Sequence, residues 1–330
     1  MVFRFHLGFG SRDGKDKNQE EWSSPPPPKL DIAALKQQEA ERSRKSLDAL
    51  THGHLPPGVV ERIHAQQAGD LPWTSDLSVN EWLALRQYKI RPLGQVMGSS
   101  FYQVGYVGPT SYNSMGSYYT ASHELQGPTH ALYEGRRLAI SRLEQEAALM
   151  GANAVVGVHL EKKGFSQADG VVEYVCYGTA VQVEGLKQPA RPVLSTVSGQ
   201  DFARLIIAGH LPVGLALGAT FYYLRTDWWD AQQERSWYNQ EMQHFTQGMY
   251  TARHLAQKKL REDLQKMGAT GVVGAEFEMH VEEIEGGQVG DGERVQDHIV
   301  EVVMLGTAVE RMESGVHPDL KVTPVFDLRS

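Results

Sequence analysis

The chain repeats itself. GANAVVGVHLE from Gly151 matches GATGVVGAEFE from Gly268, and EYVCYGTAV from Glu173 matches EVVMLGTAV from Glu301. Upstream, MGSSFYQV from Met97 pairs with LGATFYYL from Leu217, and the preceding WLALRQYKIRPLG resembles FARLIIAGHLPVG. A tandem duplication constrains a fold more than any local motif, because both copies must be supersecondary units of one kind. The offset between copies grows from 117 residues at the first pair to 128 at the second. The second copy therefore carries a connection 11 residues longer, within MHVEEIEGGQVGDGERVQDH. GHLPPG from Gly53 echoes GHLPVG from Gly209, so a helix, turn and proline element introduces each unit.

Hydrophobic period assigns the elements. Ala139, Leu143, Ala147 and Met150 fall on one helical face, and Ala256, Leu260, Leu264 and Met267 repeat it. Gly151 and Gly268 follow as helix-terminating glycines. AVVGVHLEKK and GVVGAEFEMH come next, then VVEYVCYGTAVQV and HIVEVVMLGTAVER, all β-branched and partly alternating as strands are. Each copy reads strand, irregular insert, long helix, strand, strand. That order predicts an α+β class with two tandem domains, each a small antiparallel sheet covered by one long helix. The expected divisions are a disordered proline-rich head at 1–29, a helical extension at 30–77, a first domain at 78–186, a linker at 187–197, a second domain at 198–312 and a tail at 313–330. The head ends in Pro25–Pro28, a spacer or a weak docking motif for a protein partner.

Composition excludes several classes. With 32 basic and 40 acidic residues the formal charge is −8, so no cationic field invites nucleic acid. The single cysteine, Cys176, rules out an intramolecular disulfide framework and multi-cysteine metal sites within one chain. No apolar run approaches the roughly 20 residues of a membrane span, and the N-terminus lacks a secretory pattern. A cytoplasmic protein is expected.

Candidate chemistry is sparse. Gly151, Gly157, Gly178, Gly268, Gly274 and Gly306 fit neither GxGxxG nor a P-loop and read as structural. Cys176 aligns with Met304 in an apolar strand, the position of a buried filler. Glu161 with Glu278, and Glu173 with Glu301, occupy matched positions. They are either metal ligands or acid/base pairs, or solvent-facing strand residues pairing with Lys162, Lys163 or Arg294. The longer connection is the densest acidic stretch, with His280 and His298 near its ends. Paired as a hairpin, these histidines would approach across the ladder, and with Glu282 and Glu278 would form a mixed nitrogen and oxygen site for a divalent transition metal. The alternative is a solvated hairpin tip. The inserts hold Tyr112, Tyr118 and Tyr119 in one copy, and Trp228, Trp229, Trp237, Tyr238 and Phe245 in the other, suited either to protein interfaces or to core packing.

EAALMGANAVVGVHLE with YGTAV, and DLQKMGATGVVGAEFE with LGTAV, resemble the YbjQ-like family, which carries a heavy-metal-binding label. The resemblance implies small α+β domains that assemble into rings, typically pentamers. It supplies no ligand motif that can be placed on this sequence. The expected function is a non-enzymatic, homo-oligomeric scaffold or binding protein, pentameric or a multiple of five, holding a divalent metal or small ligand. A different class is heavy-metal sequestration or sensing through the acidic hairpin. A third is a hydrolase built at a subunit interface from the paired glutamates.

Overall fold

Both helical faces read from the sequence exist, and each lies on its own sheet through a glycine. The computed structural model describes residues 32–104, 121–164, 170–186, 189–234, 236–289 and 293–311. The head, the 313–330 tail and Tyr112, Tyr118 and Tyr119 lie outside the described residues. The chain divides into two units, residues 1–44 and 45–330, and both copies of the repeat belong to the second.

Helix α1 (Ile32–Thr51) is followed by α2 (Pro57–Ala68), which begins on a proline suited to the first helical turn and ends on left-handed Gly69. Helix α3 (Val79–Gln87) opens on a capping box, Ser78 and Glu81 each accepting the other's backbone N–H. The first copy then runs β1 (Ile90–Gln103), α4 (Gln126–Leu149), β3 (Ala154–Gly164) and β4 (Val171–Val183). Two short strands accompany it: β2 (His123–Glu124) before α4, and β5 (Val193–Leu194) after β4. The second copy comprises α5 (Gly199–Ile207), β6 (His210–Leu224), α6 (Trp228–Glu234), α7 (Gln243–Lys266), β7 (Gly271–Val289) and β8 (Glu293–Arg311).

The sheets have orders β1-β4-β3-β5 and β2-β6-β8-β7. In each copy the last strand sits between the other two, antiparallel to both. The expected α+β class holds, with two corrections. The segment expected as a linker supplies β5, which runs parallel to β3, so the first sheet is mixed. Strand β2, from the first copy's insert, pairs antiparallel with β6 and so belongs to the second copy's sheet. The second sheet thus takes strands from both copies, while the first adds a strand from the segment between them.

Matched devices hold each helix to its sheet. A Cβ on Gly98 would lie 2.0 Å from the Ala139 carbonyl oxygen, and one on Gly218 would lie 2.2 Å from that of Ala256. Both strands thus touch helix backbone directly, which only glycine permits. Glu146 of α4 accepts the Met97 N–H at 3.0 Å, and Asp263 of α7 accepts the Leu217 N–H at 3.0 Å. The threonines of the two GTAV segments, Thr179 and Thr307, are buried and anchor the chain entering each copy. Thr179 donates to Asp76, and Thr307 accepts the Thr196 N–H at 2.8 Å.

Candidate functional site

The most elaborate polar and apolar constellation lies where the two copies meet. Helix α4 carries two stripes. Ala139, Leu143 and Ala147 face its own sheet, while Leu125 at its start, with Thr129, Leu132 and Arg136, is buried toward the second sheet. Leu132 packs with Ala219 and Val303, flanked by Tyr133, Leu217 and Phe221. Leu125 packs with Tyr223, Ile284 and Ile299. Burying each large apolar side chain stabilises the junction by about 1.5–3 kcal/mol.

Polar groups fix the register. The Leu125 N–H donates to the Phe221 carbonyl at 2.8 Å, and the Phe221 N–H donates to Thr129 Oγ1 at 3.0 Å. The Ala219 N–H donates to the Tyr133 hydroxyl at 2.8 Å. The Glu124 carboxylate accepts from Thr220 Oγ1 at 2.8 Å and from Lys259 Nζ. Lys162 Nζ reaches Glu301, a nearly buried carboxylate on the second sheet. Desolvation opposes ionisation of Glu124, but the hydrogen bonds from Lys259 and Thr220 and the Lys259 charge outweigh it and hold its carboxyl below the ordinary value. Arg136 is stacked over the Tyr174 ring at 5.6 Å, and its Nε and Nη1 have no hydrogen-bond partner among the described residues. Burial depresses its proton affinity while the nearby Glu301 and Glu278 charges support it.

Beside this junction a cavity of about 520 Å³ is lined by Leu160, Glu161 and Lys162 of β3 and by Glu278, Met279, His280, Glu301 and Val303 of β7 and β8. Three of the four matched glutamates therefore approach one cleft. Two are already engaged: Glu301 with Lys162, and Glu161 with Lys163 at 2.8 Å and the Tyr177 hydroxyl at 3.1 Å. Glu173 lies across the ladder from Phe101 and Lys163 instead.

The register separates the two histidines. His280 pairs with Glu301, and Glu283 pairs with His298. Residues 298 and 301 lie three apart on β8, so their side chains leave opposite faces of the sheet. His280 shares its face with Glu278 and Glu282, while His298 packs edge-on against Phe245 at 4.9 Å, under α7. The expected approach of His280 and His298 across the hairpin is therefore not formed. Among the described residues no group of three or more His, Cys, Asp or Glu is placed to hold a metal ion. The donor set present does not fit the metal implied by the family label.

Cys176 is buried, and burial first, with the Glu144 charge second, pushes its thiol up to about 12. It is a core atom rather than a nucleophile. The aromatic insert divides: Phe245 packs in the second copy's core, whereas Trp229, Trp237 and Tyr238 are exposed. Sequence reasoning missed Asp297, counted only as one of many acidic residues. It is buried, and accepts from the Tyr223 hydroxyl at 2.5 Å and the Thr226 N–H at 2.8 Å, tying the insert to the long hairpin. It also missed Glu124 and Tyr133. Their signal was present, because Glu241 and Tyr250 repeat them 117 residues on.

Two α+β copies, each a strand, long helix and two strands, with β2 from the first copy's insert paired in the second copy's sheet, define a tandem-domain protein whose distinctive site is the junction itself. The sequence profile of the YbjQ_1 family, described as "Putative heavy-metal-binding", matches residues 86–184 and 232–312, and the chain belongs to that family. An encapsulin nanocompartment protein of Mycobacterium tuberculosis is 31% identical over 280 residues, covering 83% of this chain and 97% of that protein. A UPF0145 protein of Methanoregula boonei is 43% identical over 74 residues, 22% of this chain and 59% of its own. A UPF0145 protein of Mycobacteroides abscessus is 42% identical over 67 residues, 20% of this chain and 61% of its own. Among the described residues no helix is long and apolar enough to cross a membrane.

Proposed function

We propose that this protein is a non-enzymatic scaffold subunit that assembles with copies of itself into a ring or larger shell. The observation that carries the reading is the junction between the copies, where one domain's helix covers the next domain's sheet. Such a contact is heterologous, one face meeting a different face, and heterologous contacts propagate into rings or filaments. The near full-length likeness to a protein named as an encapsulin nanocompartment protein supports assembly as the task. The family resemblance supports a ring, with five chains or a multiple of five as the expected number. No nucleophile, base and orienting group converge at the junction, which is built for burial and register rather than turnover.

Light scattering of the full chain at micromolar concentration tests this. A mass several times that of one chain is expected. A single-chain mass across that range would overturn the reading. Adding zinc, nickel or copper and then a chelator separates the roles: a mass unchanged by either treatment fits a scaffold, and a mass that depends on metal would make the ion structural and the function metal-linked.

A further inference from the structure

Where α3 turns into β1, the first copy carries three cations that the second lacks, and they meet in one cleft. A cavity of about 520 Å³ is lined by the indoles of Trp73 and Trp82, by Arg86, Lys89 and Arg91, and by Glu184. At the matched positions the second copy has Ile206 for Arg86, Gly209 for Lys89 and Leu211 for Arg91. Trp82 is half-buried, whereas its counterpart Phe202 is buried in a core cluster with Leu85 and Val156. The cleft is therefore an addition to the first copy rather than a property of the repeat. In a chain of formal charge −8 it reverses the local sign. Among the described residues no carboxylate forms an ion pair with any of the three cations.

Lys89 stands out by its backbone. Its φ is 57°, and among the described residues it is the one non-glycine residue with a positive φ. The left-handed region is disfavoured for a residue with a β-carbon. Gly209 makes the same turn in the second copy at φ 77°, so the repeat already holds the unstrained solution. Strained residues of this kind gather at ligand sites, where the side chain is worth the cost of its backbone. The C-terminal dipole of α3 accounts for a cation in its last turn, which is Arg86. It does not account for a lysine at the left-handed position beyond it, nor for Arg91 on the strand. The remaining groups are held in place. Arg86 lies over the Trp82 ring at 4.7 Å, and Arg91 Nη2 donates to Gln182 Oε1 at 2.6 Å. Trp73 Nε1 donates to the Leu93 carbonyl at 3.0 Å, and the Gln95 N–H donates to the Thr74 carbonyl at 2.8 Å, fastening the Trp73 segment along β1.

We propose that this cleft binds a small organic anion, a flat ring bearing a phosphate or carboxylate. Arg86, Lys89 and Arg91 receive the anionic group, and the ring lies against the indoles of Trp73 and Trp82. The volume falls in the range of small-ligand pockets, which join apolar walls to a few convergent polar groups. Arginine's planar fork matches both carboxylate and phosphate, and lysine adds a mobile point charge. Indole faces favour offset stacking with a planar ring. Ile90 and Pro92 add further apolar surface. A bare inorganic anion would use the cations and leave the indoles uncovered. The cleft is complete within one chain, so this site does not depend on assembly.

Isothermal titration calorimetry of the full chain tests the assignment, with 1-naphthyl phosphate and 2-naphthoate as probes and inorganic phosphate and the uncharged 1-naphthalenemethanol as controls. Saturable binding of a ring anion at one per chain is expected, weakening as salt rises. The tighter of the two ring anions identifies the anionic group. Arg86→Gln and Lys89→Gly should each weaken that binding roughly ten-fold or more. Lys89→Gly should also melt at or above the temperature of the natural chain, because glycine relieves the left-handed backbone. Lys89→Asn, which accepts that conformation without the charge, should weaken binding to the same degree. Loss of binding joined to undiminished stability is the signature of a lysine held there for a ligand. No saturable binding of either ring anion would overturn the proposal, and so would equal affinity for inorganic phosphate alone or for the uncharged alcohol. Affinity unchanged in Arg86→Gln, Lys89→Gly and Lys89→Asn would also overturn it, since the ligand would then sit elsewhere. A Lys89→Gly chain that melts lower and binds as before would make Lys89 structural and overturn its role in the cleft.

Discussion

Gly98 and Gly218 set the distance between helix and sheet in the two copies. At each, the nearest atom a methyl group would strike is a helix carbonyl oxygen, which has no rotamer to retreat into. Gly98→Ala and Gly218→Ala are expected to cost about 3 kcal/mol each, at the upper end of overpacking, read as a lower denaturant midpoint. Gly151→Ala meets open space but sits at φ 79°, so its cost comes from the backbone and should be nearer 1 kcal/mol. Cys176 yields a second expectation at this scale. Its thiol should be silent toward a thiol reagent in the native state at pH 8 and react as fast as the chain unfolds; stoichiometric reaction of the folded protein would contradict its placement. The sequence already placed Cys176 in the core, because Met304 stands at its repeat position. It did not show Gly98 or Gly218 as contact glycines, since GSSF and GATF look like ordinary strand polarity until the helix is laid over them.

Among the elements, α4 has two jobs and α7 has one within the chain. Tyr133→Phe removes the acceptor for the Ala219 N–H, leaving a donor at the junction unpaired at about 1–3 kcal/mol, which chemical denaturation would register. Glu124 gives the junction a pH dependence of definite sign. Its folded value lies below its ordinary one, so its contribution is complete above the ordinary carboxylate range and is lost as pH falls through the lowered folded value. The natural chain should therefore lose more stability between pH 7 and pH 4 than Glu124→Gln does; equal losses would mean the Lys259 pairing is not formed. Helices and GTAV strands were legible because their period is written along one segment. Strand β2 was not, since a two-residue bridge has no period and its partner lies in the other copy. The relation between His280 and His298 was illegible for a related reason. Which face a strand residue takes depends on register, and here a shift between Val273 and Glu276 and a 19-residue hairpin arm intervene.

The whole molecule is a repeat whose two copies meet at one junction, between α4 and the second sheet. The duplication read from the sequence implied two like domains. Only the structure shows that they meet through α4, which covers its own sheet with one stripe and the second sheet with another. The proposed function is assembly, and native mass spectrometry of the chain tests it most directly. The account predicts a discrete species of several chains, its mass unchanged by chelation. A spectrum dominated by single chains at micromolar concentration would contradict it.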